Sequence, residues 1–187
     1  MSKLTYEGIW LTPDKKPKHY ETAIIFDWDD TLLCTSFISP FGVYRDVVLE
    51  GTVLQHIKLL EQTTKKILEL SVKHGKTYII TNAQEGWVEF SCKKFMPACM
   101  EVLQKVNIIS ARAKYEAKFP TDVPQWKINT FLETQSDLTD GNIKNLIAIG
   151  DSMFELDAAH TLASCFQRAL IKTIKFKELP KPSELVR

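Results

Sequence analysis

Two aspartates at the end of an apolar segment are the residues of this chain best placed for chemistry. The segment Ala23–Phe26 is short and continuously apolar, as a buried parallel strand would be, and Asp27-Trp28-Asp29 follows it. Side chains alternate along a strand, so Asp27 and Asp29 point the same way while Trp28 points into the packing. Adjacent carboxylates repel each other unless a cation joins them, and hard oxygen ligands favour Mg²⁺. The alternative interpretation is a capped turn after a buried strand.

Two further polar positions are candidates for an anion site. Thr81 and Asn82 close the apolar segment Thr77–Ile80, and a hydroxyl with free backbone N–H groups before a helix binds anions. The alternative is that they cap the next helix. Lys127 lies near the start of a predicted helix, where the alternative is a lysine in solvent.

A second acidic group follows the segment Leu146–Ile149. Gly150-Asp151-Ser152 comes directly after it, and Glu155 stands four residues beyond Asp151. On a helix these two acids share one face, although Asp151 could simply be the helix N-cap.

Predicted strands and helices alternate along most of the chain. The strands cover 23–26, 77–80, 106–109, 146–149 and 166–174, and the helices cover 53–74, 84–94, 124–133 and 154–162. Gly75 stands where a C-terminal cap would close the first long helix. This alternation predicts an α/β fold with a Rossmann-like parallel sheet and helices on both faces. Right-handed crossovers then bring the carboxyl ends of the strands to one edge, where such sheets bind ligands.

Length and composition fit a single globular domain. The chain has 187 residues, 24 Lys+Arg against 23 Asp+Glu, and four cysteines without C-x-x-C spacing. We expect residues 1–18 to form a mobile N-terminal arm and residues 19–187 a single domain. The net charge is close to zero, so no nucleic-acid partner is expected. No apolar segment approaches the roughly 20 residues that a membrane span needs, so no membrane span is expected. With no signal-peptide pattern either, a cytoplasmic location is expected.

In this order along the chain, the polar positions resemble the haloacid dehalogenase (HAD) superfamily of phosphohydrolases. The matching residues are Asp27-x-Asp29-x-Thr31, Thr81, Lys127 and Gly150-Asp151-x-x-x-Glu155, within about residues 22–160. The first motif is the specific one, and many members carry Asp where Glu155 stands. The expected function is Mg²⁺-dependent hydrolysis of phosphomonoesters, with a phosphoprotein or a phosphometabolite as substrate.

The resemblance implies a role for each matching residue. Asp27 is the nucleophile that forms an aspartyl-phosphate, and Asp29 is the general acid and base. Thr81 and Asn82 bind the phosphoryl group, and Lys127 stabilises its charge. The implied ligands of Mg²⁺ are Asp27, the backbone carbonyl of Asp29, and Asp151. Ser152 and Glu155 are implied to lie in the outer shell or to be further ligands, and Glu155 could instead orient Lys127. Asp30 and Thr31 are expected to serve the turn, with Asp30 in solvent or capping it.

The region that would select a substrate is short. Residues 32–49 suffice for a flap and not for a full cap domain, so an open site for bulky or macromolecular phosphates is expected. Candidate substrate contacts are Arg45 on the flap and Arg112 and Lys114 after the third strand, the alternative being a solvated basic loop. The aromatic flap residues could instead pack on the core, and Trp87 could belong to the core or to the site.

Other functions remain as alternatives. A small-metabolite phosphatase and a catalytically silent HAD-like binding module both fit the motifs. A phosphorylation-sensing receiver module fits less well, because its acceptor aspartate closes the third strand and here that strand ends in Ile109-Ser110.

Overall fold

Successive strands of the protein are separated by one or two α-helices. The computed structural model describes residues 17–138, 143–166 and 169–186. In chain order the elements are β1 (Thr22–Phe26), α1 (Thr35–Ile38), α2 (Gly51–His74), β2 (Lys76–Thr81), α3 (Trp87–Phe95), α4 (Met100–Leu103), β3 (Asn107–Ser110), α5 (Ala111–Tyr115), α6 (Val123–Asp137), β4 (Asn145–Gly150), α7 (Met153–Ala163), β5 (Leu170–Lys175) and α8 (Pro182–Leu185).

The five strands form one parallel sheet in the order β3-β2-β1-β4-β5. The first strand is therefore central, with β2 on one side and β4 on the other. The chain moves outward from β1 through β2 to β3 and then returns to β4, so the strand order reverses beside β1. In open parallel sheets this reversal opens a crevice at the carboxyl ends of the strands. The expected α/β class and parallel sheet are confirmed.

Helices cover both faces of the sheet, because the strands are apolar on both sides. All five residues of β1 are buried. Ile24 and Phe26 pack in a cluster with residues of α2, α3 and α4, and Ala23 and Ile25 pack in a second cluster with α6 and α7. Trp28 is fully buried in the first cluster, as its place between two aspartates predicts.

The long helix α2 ends at a glycine for a reason other than the predicted one. Gly75 occupies the C-cap, but its φ of −170° is extended rather than left-handed. A Cβ at Gly75 would lie 2.6 Å from the carbonyl oxygen of Thr22. The glycine therefore lets the end of α2 approach β1.

Two segments differ in detail from the sequence predictions. The predicted basic loop after β3 is the short helix α5, which Ser110 caps by accepting a hydrogen bond from the N–H of Ala113 at 3.0 Å. The flap of residues 32–49 consists of the short helix α1 and a loop. Residues 1–16 of the predicted arm lie outside the described residues. Among the residues that the structure describes, no helix is both long enough and apolar enough to cross a membrane.

Candidate active site and metal centre

The carboxyl ends of β1, β2 and β4 border a cavity of about 750 Å³. It lies beside β1, at the reversal of strand order. Its walls include eight of the polar residues that the sequence analysis identified as candidates: Asp27, Asp29, Thr81, Asn82, Lys127, Asp151, Ser152 and Glu155. Because these positions come from distant parts of the chain, the parallel sheet is what brings them together.

A buried lysine links two carboxylates at the bottom of the cavity. The ammonium nitrogen of Lys127 lies 2.7 Å from Oδ1 of Asp27 and also pairs with Oε1 of Glu155. The three side chains are almost inaccessible to solvent, with exposed fractions of 3%, 7% and 3% in that order. The alternative of a solvent-facing Lys127 is therefore wrong. A charged lysine can be buried only when it is paired with carboxylates, since an isolated buried charge costs a large amount of free energy.

The protonation of this network follows from burial and charge. Burial alone would lower the pKa of Lys127, but Asp27 and Glu155 outweigh it and raise that pKa, so the ammonium stays charged. Burial raises the pKa of Asp27 to about 7, although Lys127 acts in the opposite direction. Burial also raises the pKa of Asp151, to about 6, with Glu155 and Asp30 adding to it. Among the described residues that line the cavity, acidic side chains outnumber the two cationic ones, Lys127 and Arg112.

Asp29 has both carboxylate oxygens engaged by hydrogen-bond donors. The Thr81 hydroxyl donates to Oδ2 at 3.1 Å, and the Trp87 indole N–H donates to Oδ1 at 2.9 Å. Burial raises the pKa of Asp29 despite these bonds. The Thr81 hydroxyl also accepts the N–H of Ala83 at 2.9 Å. Thr81 and Asn82 do not cap α3, whose N-cap is Gly86.

Asp151, in the turn after β4, does not cap α7. The N-cap of α7 is Ser152, whose hydroxyl accepts the N–H of Phe154 at 3.1 Å and donates to Oε2 of Glu155 at 2.6 Å. Glu155 in turn accepts the Ser152 backbone N–H at 3.1 Å, which completes a capping box. The proposed N-cap role of Asp151 is therefore wrong, and its half-buried carboxylate borders the cavity.

Three carboxylates stand close enough to share one metal ion. One oxygen each from Asp27, Asp151 and Glu155 lies within 4.8 Å of the others. An all-oxygen set with excess negative charge fits a hard divalent cation. Asp27 and Asp151 were predicted as ligands, and Glu155 was predicted as an outer-shell residue or a possible ligand. The Asp29 carboxylate contacts Thr81 and Trp87, and the predicted ligand from this residue is its backbone carbonyl.

Two of the three predicted substrate contacts lie away from this cavity. Arg112 lines it, with its guanidinium paired to Glu116 at 2.7 Å. The ammonium of Lys114 pairs with Glu133 at 2.6 Å and lines other surface clefts. Arg45 is exposed and is not among the lining residues. No contact thus ties Lys114 or Arg45 to the site among the described residues.

Sequence reasoning left three site neighbours open. Trp87 contacts Asp29, and its ring packs on Tyr44 with centroids 4.5 Å apart. Asp30 is buried rather than in solvent; its carboxylate accepts the Ser36 N–H at 3.0 Å and so fastens the start of α1. The left-handed backbone of Asp30, with φ 53°, turns the chain away from β1. The contact between Trp87 and Asp29 could have been expected from the sequence, because Trp87 follows Thr81 by only six residues.

The fold and the site together define a parallel α/β protein with an acidic, lysine-containing crevice at the carboxyl edge of its sheet. Comparison of the chain with known proteins finds no matching family model, no matching curated protein and no matching solved structure.

Proposed function

We propose that this protein is a Mg²⁺-dependent phosphomonoester hydrolase with an aspartate nucleophile. The observation that carries the proposal is the convergence of Asp27, Asp29, Thr81, Lys127 and Asp151 on one cavity. A nucleophile, a proton carrier and a fixed cation within one crevice are what phosphoryl transfer requires from a protein. The resemblance to the haloacid dehalogenase superfamily supports the same assignment.

Asp27 is the nucleophile in this proposal. Its Oδ1 pairs with Lys127, which opposes the effect of burial by favouring the ionised carboxylate and also fixes its orientation. A carboxylate oxygen forms a bond to phosphorus while the phosphorus–ester oxygen bond breaks. The products of this step are an aspartyl-phosphate and an alcohol, and one difficult displacement becomes two easier ones.

Asp29 carries the proton in both steps. The carboxyl group first protonates the departing ester oxygen, and its pKa, raised by burial, favours the protonated form that this requires. In the second step the Asp29 carboxylate accepts a proton from the water that attacks phosphorus. Phosphate leaves and Asp27 is regenerated. The bonds to Thr81 and Trp87 hold Asp29 in place for both transfers.

Asp27, Asp151 and Glu155 would hold the metal ion. When bound, Mg²⁺ supplies positive charge that offsets the negative charge of a phosphate ester. Glu155 also pairs with Lys127, so the same carboxylate keeps the lysine beside Asp27. The short flap leaves the crevice open, which favours bulky or macromolecular phosphates over small metabolites.

The proposal is tested by Asp27→Asn, which preserves shape and removes the nucleophile. Purified protein with Mg²⁺ should release phosphate from 4-nitrophenyl phosphate, and the variant should lose at least about 10³-fold in kcat. Asp157→Asn is the matched control, because Asp157 is exposed on α7 and should retain activity. Circular dichroism checks that both variants fold. Full activity of Asp27→Asn would overturn the nucleophile assignment.

A further inference from the structure

Three aromatic side chains form a continuous wall at one side of the crevice. Tyr44 comes from the loop before α2, and Trp87 and Phe90 come from the first turn of α3. The ring centroids of Tyr44 and Trp87 are 4.5 Å apart, and those of Trp87 and Phe90 are 5.9 Å apart. Phe90 is 48% exposed although it lines the cavity. We call these three residues the aromatic wall.

The aromatic wall contacts Asp29, the residue that protonates the leaving oxygen in the proposed reaction. The Trp87 indole N–H donates to Oδ1 of Asp29 at 2.9 Å. In the proposed reaction the ester oxygen of the substrate lies against Asp29. The group attached to that oxygen must therefore pass directly beside Trp87 and Tyr44. A planar apolar group gains ring contacts there that a polar chain does not.

The charges around the crevice disfavour a second anionic group on the substrate. Among the described lining residues, the cationic side chains are Lys127 and Arg112. Lys127 is engaged by Asp27 and Glu155, and Arg112 is engaged by Glu116. Glu85 lines the cavity close to the aromatic wall and adds negative charge. Nucleoside polyphosphates and sugar bisphosphates would therefore leave a phosphate without a free partner.

We propose that the aromatic wall selects aryl phosphomonoesters, with the substrate ring stacked on Trp87 and Tyr44. The inference rests on the proposed function and names the substrate class of the same site. Tyrosine phosphate is the biological form of this chemistry, either as the free amino acid or within a peptide. The open crevice admits both forms.

Phosphonates test the ring contact without the influence of leaving-group reactivity. Benzylphosphonate and butylphosphonate carry the same head group and are not hydrolysed, so their inhibition constants compare ring with chain. With Mg²⁺ present, we expect benzylphosphonate to inhibit about 3- to 10-fold more tightly, as one or two aromatic contacts provide. Equal inhibition by the two compounds would overturn the inference.

Substitutions in the wall assign the effect to its residues. Tyr44→Leu should remove most of the preference for benzylphosphonate, whereas Tyr44→Phe, which keeps the ring, should retain it. Phe90→Leu, at an exposed position, is a second variant in case Tyr44→Leu folds poorly, and it should reduce the preference about twofold. Unchanged preference in both leucine variants would contradict the assignment.

Binding to Asp27→Asn, measured by calorimetry, identifies the source of the ring. Tyrosine phosphate or a tyrosyl-phosphate peptide should bind at least about 3-fold more tightly than its serine-phosphate counterpart. Whichever of the two tyrosine compounds binds more tightly shows whether the free amino acid or the peptide is the preferred substrate. Equal or tighter binding of the serine compounds would overturn the inference. If alkyl phosphates are hydrolysed without a ring preference, only this inference fails. If no ester is hydrolysed and no phosphonate binds, the proposed function fails with it.

Discussion

The side chain of Glu155 fills the space where Gly150 would carry a side chain. A Cβ placed on Gly150 would lie 2.4 Å from Cγ and 2.6 Å from Oε2 of Glu155. Position 150, the last of β4, therefore requires glycine, because the Glu155 carboxylate lies directly over its backbone. This contact lets Glu155 reach both Ser152 and Lys127.

Gly150→Ala should disturb the site through Glu155. The methyl group would displace the carboxylate, and we expect a loss of about 10- to 100-fold in phosphatase activity or Mg²⁺ affinity. Glu155→Asp shortens the side chain and makes room, so the double variant should lose less than the sum of the two single losses. Steady-state kinetics at varied Mg²⁺ measures the cycle. Strictly additive losses would show that the two residues do not compete for space.

Lys127→Met should lower the free energy of unfolding by about 3–5 kcal/mol, because it leaves the buried carboxylates of Asp27 and Glu155 without their counter-charge. Urea denaturation of the metal-free protein measures the change. Lys114→Met is the matched control: Lys114 pairs with Glu133 on the surface, where a salt bridge contributes at most about 1 kcal/mol. Similar losses in both variants would contradict the account of a buried network.

Mg²⁺ should stabilise the folded protein, and the effect should depend on Asp151. At about 100 times the dissociation constant, a ligand adds about 2.7 kcal/mol, which corresponds to roughly 5–10 °C in Tm for a chain of this size. Asp151→Asn should abolish most of this shift, whereas Asp157→Asn should keep it. Differential scanning fluorimetry with EDTA and with added Mg²⁺ gives the comparison. A full Mg²⁺ shift in Asp151→Asn would remove that residue from the metal centre.

The four cysteines should differ sharply in reactivity. Cys165 is exposed, while Cys34, Cys92 and Cys99 are buried. Burial also raises the pKa of Cys34 to about 12, so almost no thiolate is available there. Ellman's reagent should label one thiol rapidly in the native protein and all four in denaturant. Cys165→Ser should eliminate the fast phase, and a second fast thiol would show that the core opens readily.

The strand pattern and the residues at the strand ends could be predicted from the sequence. Short apolar segments ending in Asp27, Thr81 and Gly150 indicated buried parallel strands, and parallel strands place their carboxyl ends together. The topology then required these residues to meet. This part of the site was predictable because it depends on periodicity and chain direction alone.

Contacts between side chains from separate elements could not be predicted in the same way. The choice of Ser152 over Asp151 as N-cap depends on backbone angles at the turn. The withdrawal of Lys114 from the site depends on Glu133 of α6, which packs beside α5. Side-chain direction at such positions follows from the tertiary packing, which local sequence does not encode.

The central position of β1 has a consequence for how the protein is made. Phe26 is paired in the sheet with both Ile79 and Ile149, so β1 gains its second neighbour only after β4 has been synthesised. Until β4 has been synthesised, the nascent chain carries an apolar strand with one edge open to other chains. Asp27, which follows β1, is separated along the chain from Lys127 of α6 and Glu155 of α7, so the buried network that these three residues form assembles only after α7 has been translated.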